Sequence, residues 1–280
     1  MTRSGAGRSV STWPTHAWFT RPKVGLMPID PDVPAAALLE TWQYLLTGIP
    51  DGWTRTGPGA LAAVSGVALP TLNGVWVDSV DIDTEMVDNL LDRVAATGLP
   101  HCLQVRPTGD DQVTGLTAAR EMVRDEHAIP LMTLEDFGQL GAAQAADGMV
   151  IRELEPVEAH LHARLAAVGF EAPVDAFLQL MTPSVLAVPG VRCYLGEVGD
   201  QPVTTGLGVT LGSYVGIFNI ATPPAQRRRG YGAAVTARAV SDGLAAGATW
   251  AWLQSSERGY PVYQRLGFRT VEAWSCWLST

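Results

Sequence analysis

Cysteine is scarce in this 280-residue sequence, which contains only Cys102, Cys193 and Cys276. Three cysteines that lie far apart argue against a disulfide scaffold, and the absence of a C-x-x-C pair argues against a zinc site. Unpaired thiols fit a reducing compartment. We therefore expect a cytoplasmic protein without a metal.

Long hydrophobic runs are also missing. The longest apolar region, residues 60–77, is interrupted by serine, glycine, proline and asparagine, whereas a membrane helix needs about 20 consecutive apolar residues. Near the N-terminus, Arg3 and Arg8 are not followed by the apolar stretch of a secretory signal. These features predict a soluble protein that does not contact the membrane.

Charged residues make up 17% of the chain and give a formal net charge of −9. An acidic chain is a poor general ligand for nucleic acid, so we expect no nucleic-acid partner. Hydrophobic residues reach 47%, which is ample for a buried core. The length exceeds the usual single domain of about 100–200 residues and predicts two domains.

The composition along the chain suggests where these domains lie. Residues 1–24 are rich in serine, glycine and threonine and predict a flexible arm, and the Ala/Gly-rich residues 138–148 predict a linker. The two units are then residues 25–137 and 149–280. Both end in the pattern strand–helix–strand–helix–strand, and Leu103 and Leu253 occupy matching places in it, which indicates a duplicated domain.

Hydrophobic periodicity and turn residues predict an α+β pattern in each half. In the first half, residues 51–59 are expected to form a loop and Asn73–Gly74 a turn. The other predicted elements of this half are helices at 35–46, 85–96 and 116–123, β structure over 61–77, and strands at 102–105 and 129–134. In the second half we predict strands at 149–152, 191–198, 203–211, 214–222, 249–254 and 268–278, and helices at 156–168, 174–180, 230–246 and 260–266.

The sharpest local feature is the segment from Gln226 to Ala233, which joins a predicted strand to an Ala-rich helix. Unpaired N–H groups at the start of a helix bind phosphate, and Gly230 and Gly232 would let a phosphate approach the backbone. The readings that remain open are a solvated surface turn and a local nucleic-acid patch. A dinucleotide-binding loop would need glycine at position 235, where valine stands.

Two motifs resemble those of the GNAT superfamily of acyl-CoA-dependent N-acetyltransferases. Arg227 to Gly232 matches its Q/R-x-x-G-x-G/A motif, and Tyr263 to Phe268 matches its Y-x-x-L-G-F box. Residues 25–137 resemble a diverged GNAT-like domain without the phosphate loop. The resemblance implies an α+β fold of two GNAT-type domains, each a mixed, mostly antiparallel sheet flanked by helices, with one parallel strand pair splayed around the cofactor.

The resemblance also implies an activity, the transfer of an acetyl group from acetyl-CoA to a primary amine of a small molecule or peptide. Tyr263 would protonate the leaving thiolate; its other reading is a core tyrosine. Ser256 stands where many members have asparagine. The residues implied in cofactor binding are Ile220, Ala221, Thr222, Arg227, Arg228, Arg229, Gly230, Tyr231, Gly232, Ala233 and Ser256.

Other parts of the site stay open at this point. Glu197, Glu257 and Glu272 are candidates for the general base, and each is also readable as a surface charge. The acidic balance favours a cationic acceptor. A non-catalytic acyl-CoA-binding or sensing module is the alternative function.

The first half carries four carboxylates over residues 78–85, at the place that matches the phosphate loop. These charges would repel a pyrophosphate. We therefore expect this half to be a structural partner, a wall of the acceptor site or the surface of a homodimer.

Overall fold

The computed structural model describes residues 29–140 and 148–280. The predicted arm at 1–24 and most of the predicted linker at 138–148 lie outside these residues. The division into units at this linker therefore stays a prediction.

Within residues 29–137, the first half contains three α-helices and six strands. The helices are α1 (Asp32–Leu46), α2 (Thr84–Ala95) and α3 (Asp110–Ala119), and the strands are β1 (Trp53–Gly57), β2 (Ala60–Val64), β3 (Asn73–Val77), β4 (Cys102–Val105), β5 (Val123–Arg124) and β6 (Ile129–Leu134). The second half contains five helices and six strands. The helices are α4 (Ala159–Phe170), α5 (Val174–Leu180), α6 (Pro183–Leu186), α7 (Tyr231–Ala245) and α8 (Tyr260–Arg265), and the strands are β7 (Met149–Glu153), β8 (Val191–Val198), β9 (Gln201–Leu211), β10 (Tyr214–Ala221), β11 (Trp250–Gln254) and β12 (Arg269–Leu278).

Three predictions in the first half are wrong. The expected loop at 51–59 contains β1, which pairs with β2. The expected turn at Asn73–Gly74 is the start of β3, where the buried Asn73 amide donates to Val67 O, Leu69 O and Pro100 O. Glycine is needed at 74 because a Cβ there would lie 2.1 Å from Cys102 O.

The third wrong prediction is the helix expected at 116–123. This helix, α3, begins at Asp110 and ends at Ala119. Its first turn is polar, so the hydrophobic pattern does not reveal where it starts. Carboxylates in this turn are favourable because they face the positive end of the helix dipole.

The twelve strands of the described residues join one mixed sheet in the order β1-β2-β3-β4-β12-β6-β11-β10-β9-β8-β7, with β5 beside β12. Each half contributes one parallel pair, β3–β4 and β10–β11. The last strands of the two halves are exchanged: β6 pairs with β11 and β12, and β12 pairs with β4. The predicted α+β fold with a mixed sheet flanked by helices is confirmed.

Successive side chains of the strands point to opposite faces of the sheet, and both faces are covered by helices. Trp76, Trp252 and Trp274 face α1, α4, α5 and α6 on one side of the sheet, and the opposite side packs against α7 and α8 in one cluster and α2 in another. Gln254 on β11 donates to Gln104 on β4 at 3.2 Å although β12 and β6 lie between these strands. The sheet therefore bends sharply toward the α1 side.

Candidate active site

The parallel pair of the second half separates along its length. The register pairs Tyr214–Gly216 with Trp250–Trp252 and goes no further. Beyond this point, β10 bulges between Phe218 and Ala221, and Asn219 adopts a φ of 50°. Asn219 and Ile220 have no cross-strand partner in the register on either side. The strands thus leave a gap, open at their carboxyl ends, with backbone groups available to a ligand.

The loop after β10 supplies the start of a helix to the same end of the gap. Gly230 is the N-cap of α7 and has a φ of 82°, a left-handed conformation that favours glycine. Gly232 needs no such conformation. A Cβ at Gly232 would lie 3.4 Å from Thr222 Oγ1 and 3.5 Å from Ile220 Cγ2. The structure therefore brings Ile220, Thr222 and Gly232 around one point, where the missing side chain leaves room beside the N–H groups of the helix.

Hydrogen bonds fix the end of β10 in place. The Thr204 hydroxyl donates to Ala221 O at 3.0 Å, so its only proton is committed. Thr222 Oγ1, 2.9 Å from Thr204 Oγ1, must then be the donor in that contact. Ala221 and Thr222 are thereby held at the edge of the gap.

The three predicted arginines differ in what they contact. Arg227 donates to Thr222 O at 3.1 Å and to Gly169 O at 2.7 Å, and it contacts Glu171 at 3.0 Å. Its side chain fastens the loop to the end of α4. Arg228 and Arg229 are exposed, and within 29–140 and 148–280 neither side chain makes a hydrogen bond or an ion pair. Both guanidinium groups are therefore available to an anionic ligand.

The helix α4 ends two residues later than the sequence predicts, because it continues through Gly169 to Phe170. Glycine at 169 is a packing requirement. A Cβ there would lie 2.8 Å from Ala221 Cβ and 3.0 Å from Thr222 N. The end of α4 thus lies directly on the end of β10.

The rim that follows β11 carries Ser256 and Tyr263. The Tyr263 ring and the Ser256 hydroxyl both lie against Gly259, 2.9 Å and 3.3 Å from the position of a Cβ there. Ser256 Oγ accepts from the N–H of Gly259 at 3.2 Å. Burial raises the pKa of Tyr263 well above its usual value, and in the described part of the chain its hydroxyl has no hydrogen-bond partner. The phenol is therefore protonated at neutral pH.

Solved structures with the same architecture cover most of the chain. A GCN5-related N-acetyltransferase from Kribbella flavida is 18% identical, with a TM-score of 0.64 over 91% of this chain and 96% of that chain. One from Sphaerobacter thermophilus is 13% identical, with a TM-score of 0.56 over 90% and 93%. A tandem GNAT protein from the clavulanic acid biosynthesis pathway is 11% identical, with a TM-score of 0.54 over 88% and 94%. No family model and no curated protein matches the chain.

This chain has the GNAT fold. The tandem arrangement places Leu103 and Leu253 on β4 and β11, the second strand of each parallel pair, and both are buried. The predicted resemblance of the two halves is therefore a resemblance of fold.

The two GNAT-type halves differ at the place of the gap. In the first half, β3 and β4 stay paired from Gly74 with Cys102 to Val77 with Val105. Arg106 follows β4 and is 4% exposed. Its guanidinium donates to Asp78 O at 3.0 Å, to Glu272 at 2.7 Å and to Asp32. An ion-pair cluster thus fills the position where β10 and β11 leave a gap.

The start of α2 in the first half is also occupied by the protein's own groups. Asp83 is the N-cap, and its carboxylate accepts from the N–H of Met86 at 3.0 Å. The corresponding end of α7 has glycine at the N-cap and no side-chain cap.

The three candidate bases are in different environments. Glu272 and Glu197 are held by arginines, at 2.7 Å from Arg106 and 3.1 Å from Arg152. Glu257 follows Ser256 on the rim, and its carboxylate lies 3.5 Å from Nε2 of His127. Among the three, Glu257 is the one on a loop that borders the gap.

The described ranges contain neither a metal-binding cluster of side chains nor a helix that could span a membrane. Among residues 29–140 and 148–280, no group of three or more His, Cys, Asp or Glu side chains could hold a metal ion. None of the helices in these ranges is long and apolar enough to cross a bilayer.

Sequence reasoning missed two residues at the mouth of the gap, Glu171 and Arg258. Glu171 Oε1 lies 3.0 Å from Arg227 Nη2 and 2.9 Å from Arg258 Nη1. The contacts span 56 and 87 residues of sequence, and neither residue is in a motif. The only local signal was the motif position of Arg227.

Proposed function

We propose that the second half is an acetyltransferase that moves an acetyl group from acetyl-CoA to a primary amine. The observation that carries this proposal is the gap between β10 and β11, with Gly232 at its mouth. A helix start without a side-chain cap, a glycine that keeps space open and an unpaired strand edge converge at one place. In a GNAT fold, this combination suits a long ligand that has phosphates at one end and amides along its length.

The donor groups of this chain match the parts of acetyl-CoA in order. The backbone of Ile220 to Thr222 would bind the pantetheine amides. The N–H groups from Gly230 to Ala233 would bind the pyrophosphate at the N-terminus of α7, with Arg228 and Arg229 adding positive charge. Ser256 would supply one further hydrogen bond from the opposite rim. When bound, acetyl-CoA supplies an acetyl group activated as a thioester.

Tyr263 is the proposed general acid. Its raised pKa keeps a proton on Oη until negative charge develops on the sulfur as the C–S bond breaks. The attacking amine forms the new N–C bond and loses a proton, for which Glu257 is the proposed acceptor, directly or through water. Tyr263 is half-buried, and no described residue is a hydrogen-bond partner of its hydroxyl. The hydroxyl is therefore available to a ligand, which fits the acid role better than the role of a core tyrosine.

The first half is proposed as a structural partner that does not bind CoA. Its helix start is capped by Asp83, and Arg106 fills the place of the gap. A pyrophosphate would have to displace a carboxylate from a backbone N–H and would face the acidic residues 78–85.

The direct test is release of CoA thiol from acetyl-CoA by a panel of amines, with calorimetry of acetyl-CoA binding in parallel. We expect binding and amine-dependent thiol release, strongest with polycationic acceptors such as polyamines and aminoglycosides. Binding without release by any amine would favour the non-catalytic acyl-CoA module. No binding would remove the proposal.

A further inference from the structure

Two arginines from opposite rims of the gap hold the same carboxylate oxygen. Arg227 belongs to the loop after β10 and Arg258 to the loop after β11. Their Nη2 and Nη1 atoms lie 3.0 Å and 2.9 Å from Oε1 of Glu171. Because these loops follow the two strands that separate, the carboxylate bridges the mouth of the gap.

The backbone positions Glu171 for this bridge. It is the C-cap of α4 in a left-handed conformation, with φ 57° and ψ 41°, which is unfavourable for a non-glycine residue. The preceding turn is fixed, since Gly169 lies on Ala221 and accepts from Arg227. The helix end therefore aims the carboxylate across the gap.

The two arginines are not equivalent. Arg227 is anchored by two main-chain carbonyls besides Glu171. In the described part of the chain, Arg258 bonds only to Glu171, and its side chain is 68% exposed. Arg258 is thus an exposed cation held at the phosphate-loop side of the gap by a single described carboxylate.

We propose that Arg258 binds a phosphate group of CoA. In the ligand-free protein the guanidinium of Arg258 is bonded to the Glu171 carboxylate, and the arriving phosphate displaces this carboxylate. This inference rests on the acetyl-CoA binding proposed above. A phosphate group offers more acceptor oxygens and more negative charge than a carboxylate, so it competes well for a guanidinium. The exposed contact with Glu171 is weak enough to exchange.

The charge state of Glu171 is consistent with this exchange. Arg227 and Arg258 lower the pKa of its carboxyl group, so it is an anion at neutral pH. Its carboxylate therefore binds the Arg258 guanidinium in the way that a phosphate would.

Calorimetry with the full chain tests the exchange. We expect Glu171→Gln to tighten CoA binding roughly 1.5- to fivefold, the range expected for losing an exposed ion-pair competitor. Arg258→Gln should weaken binding by a similar factor, and Glu171→Gln should gain less in that background because the two residues are coupled. Glu121→Gln is the matched control, because Glu121 is also an exposed glutamate with a positive φ, 53°, after a helix; it should leave affinity unchanged.

Three ligands identify which phosphate is bound. If Arg258 contacts the 3′-phosphate, the effect of Arg258→Gln is present with CoA and absent with dephospho-CoA. If it contacts the pyrophosphate, the effect persists with dephospho-CoA and disappears with pantetheine.

Other results would overturn the proposal. Unchanged or weaker CoA binding by folded Glu171→Gln would show that Glu171 does not compete. Equal affinities of Arg258→Gln and the unaltered protein for CoA would remove the phosphate contact. If the unaltered protein binds none of the three ligands, the acetyl-CoA proposal itself fails, and this result is distinct from the other two.

Discussion

His162 makes the stability of the fold depend on pH. It lies on α4, is 0% exposed, and its Nδ1 is 2.6 Å from Thr205 Oγ1. The Thr205 hydroxyl donates to Tyr194 O at 2.8 Å, so His162 must donate through Nδ1. Nε2 is then an unprotonated buried nitrogen, and no described residue is its hydrogen-bond partner. A proton added there would place a charge in the core without an acceptor.

The size of the effect follows from the pKa. Burial lowers the pKa of His162 to about 4, whereas an unfolded histidine titrates near pH 6.5. Between these values the unfolded chain binds a proton that the folded chain does not, so stability falls as the pH falls. The difference of about 2.5 pKa units corresponds to about 3 kcal/mol, lost between about pH 6.5 and pH 4. Above pH 7 this group contributes no slope.

Urea unfolding followed by tryptophan fluorescence at a series of pH values measures the effect. Carboxylates also titrate below pH 5, so the informative quantity is the difference between the unaltered protein and His162→Leu, which we expect to lack about 3 kcal/mol of the acid-side loss. His160→Gln is the control, because His160 is exposed on the same helix. A His162→Leu variant that loses stability with acid as steeply as the unaltered protein would refute the reasoning.

Three substitutions probe the two halves. Gly232→Val should weaken acetyl-CoA binding at least about tenfold in a folded protein, with Gly232→Ala in between, because the branched side chain fills the space beside the helix N–H groups; an unchanged dissociation constant would contradict this. Tyr263→Phe should lower kcat by roughly 10²–10⁴-fold with little change in KM for acetyl-CoA, and normal turnover with chemistry rate-limiting would return Tyr263 to a structural role. Arg106→Met should lower the free energy of unfolding, measured with urea, by about 3–5 kcal/mol, because it leaves the mostly buried Glu272 without its arginine. A decrease of under about 1 kcal/mol would show that the ion-pair cluster contributes little to stability.

The elements of the fold were largely predictable from the sequence. The strands at Cys102–Val105 and Ile129–Leu134 have the predicted bounds, because short apolar runs between turn residues are a local signal. Their places in the sheet were not predictable. The position of β6 between β11 and β12 depends on side-chain packing between segments more than 100 residues apart.

The candidate site shows the same division between local and long-range information. The glycines of the phosphate loop could be predicted from the sequence because their conformation and spacing are local properties. The partners of Arg227 could not be predicted, because the run of three arginines does not show which guanidinium contacts Gly169 O and Glu171. Likewise, Gly169 looks like a helix stop, and only its contact with Ala221 shows that it is a packing residue.

The exchange of β6 and β12 has a consequence for synthesis of the chain. A tandem protein with self-contained halves can complete its first half while the ribosome still makes the second. Here β4 pairs on one edge with β12, which contains residues near the C-terminus, Arg269–Leu278. The first half emerges long before this partner strand exists, and the newly made β4 edge stays open to wrong pairing. Duplication of the domain has therefore not shortened the interval during which the nascent chain needs protection from aggregation.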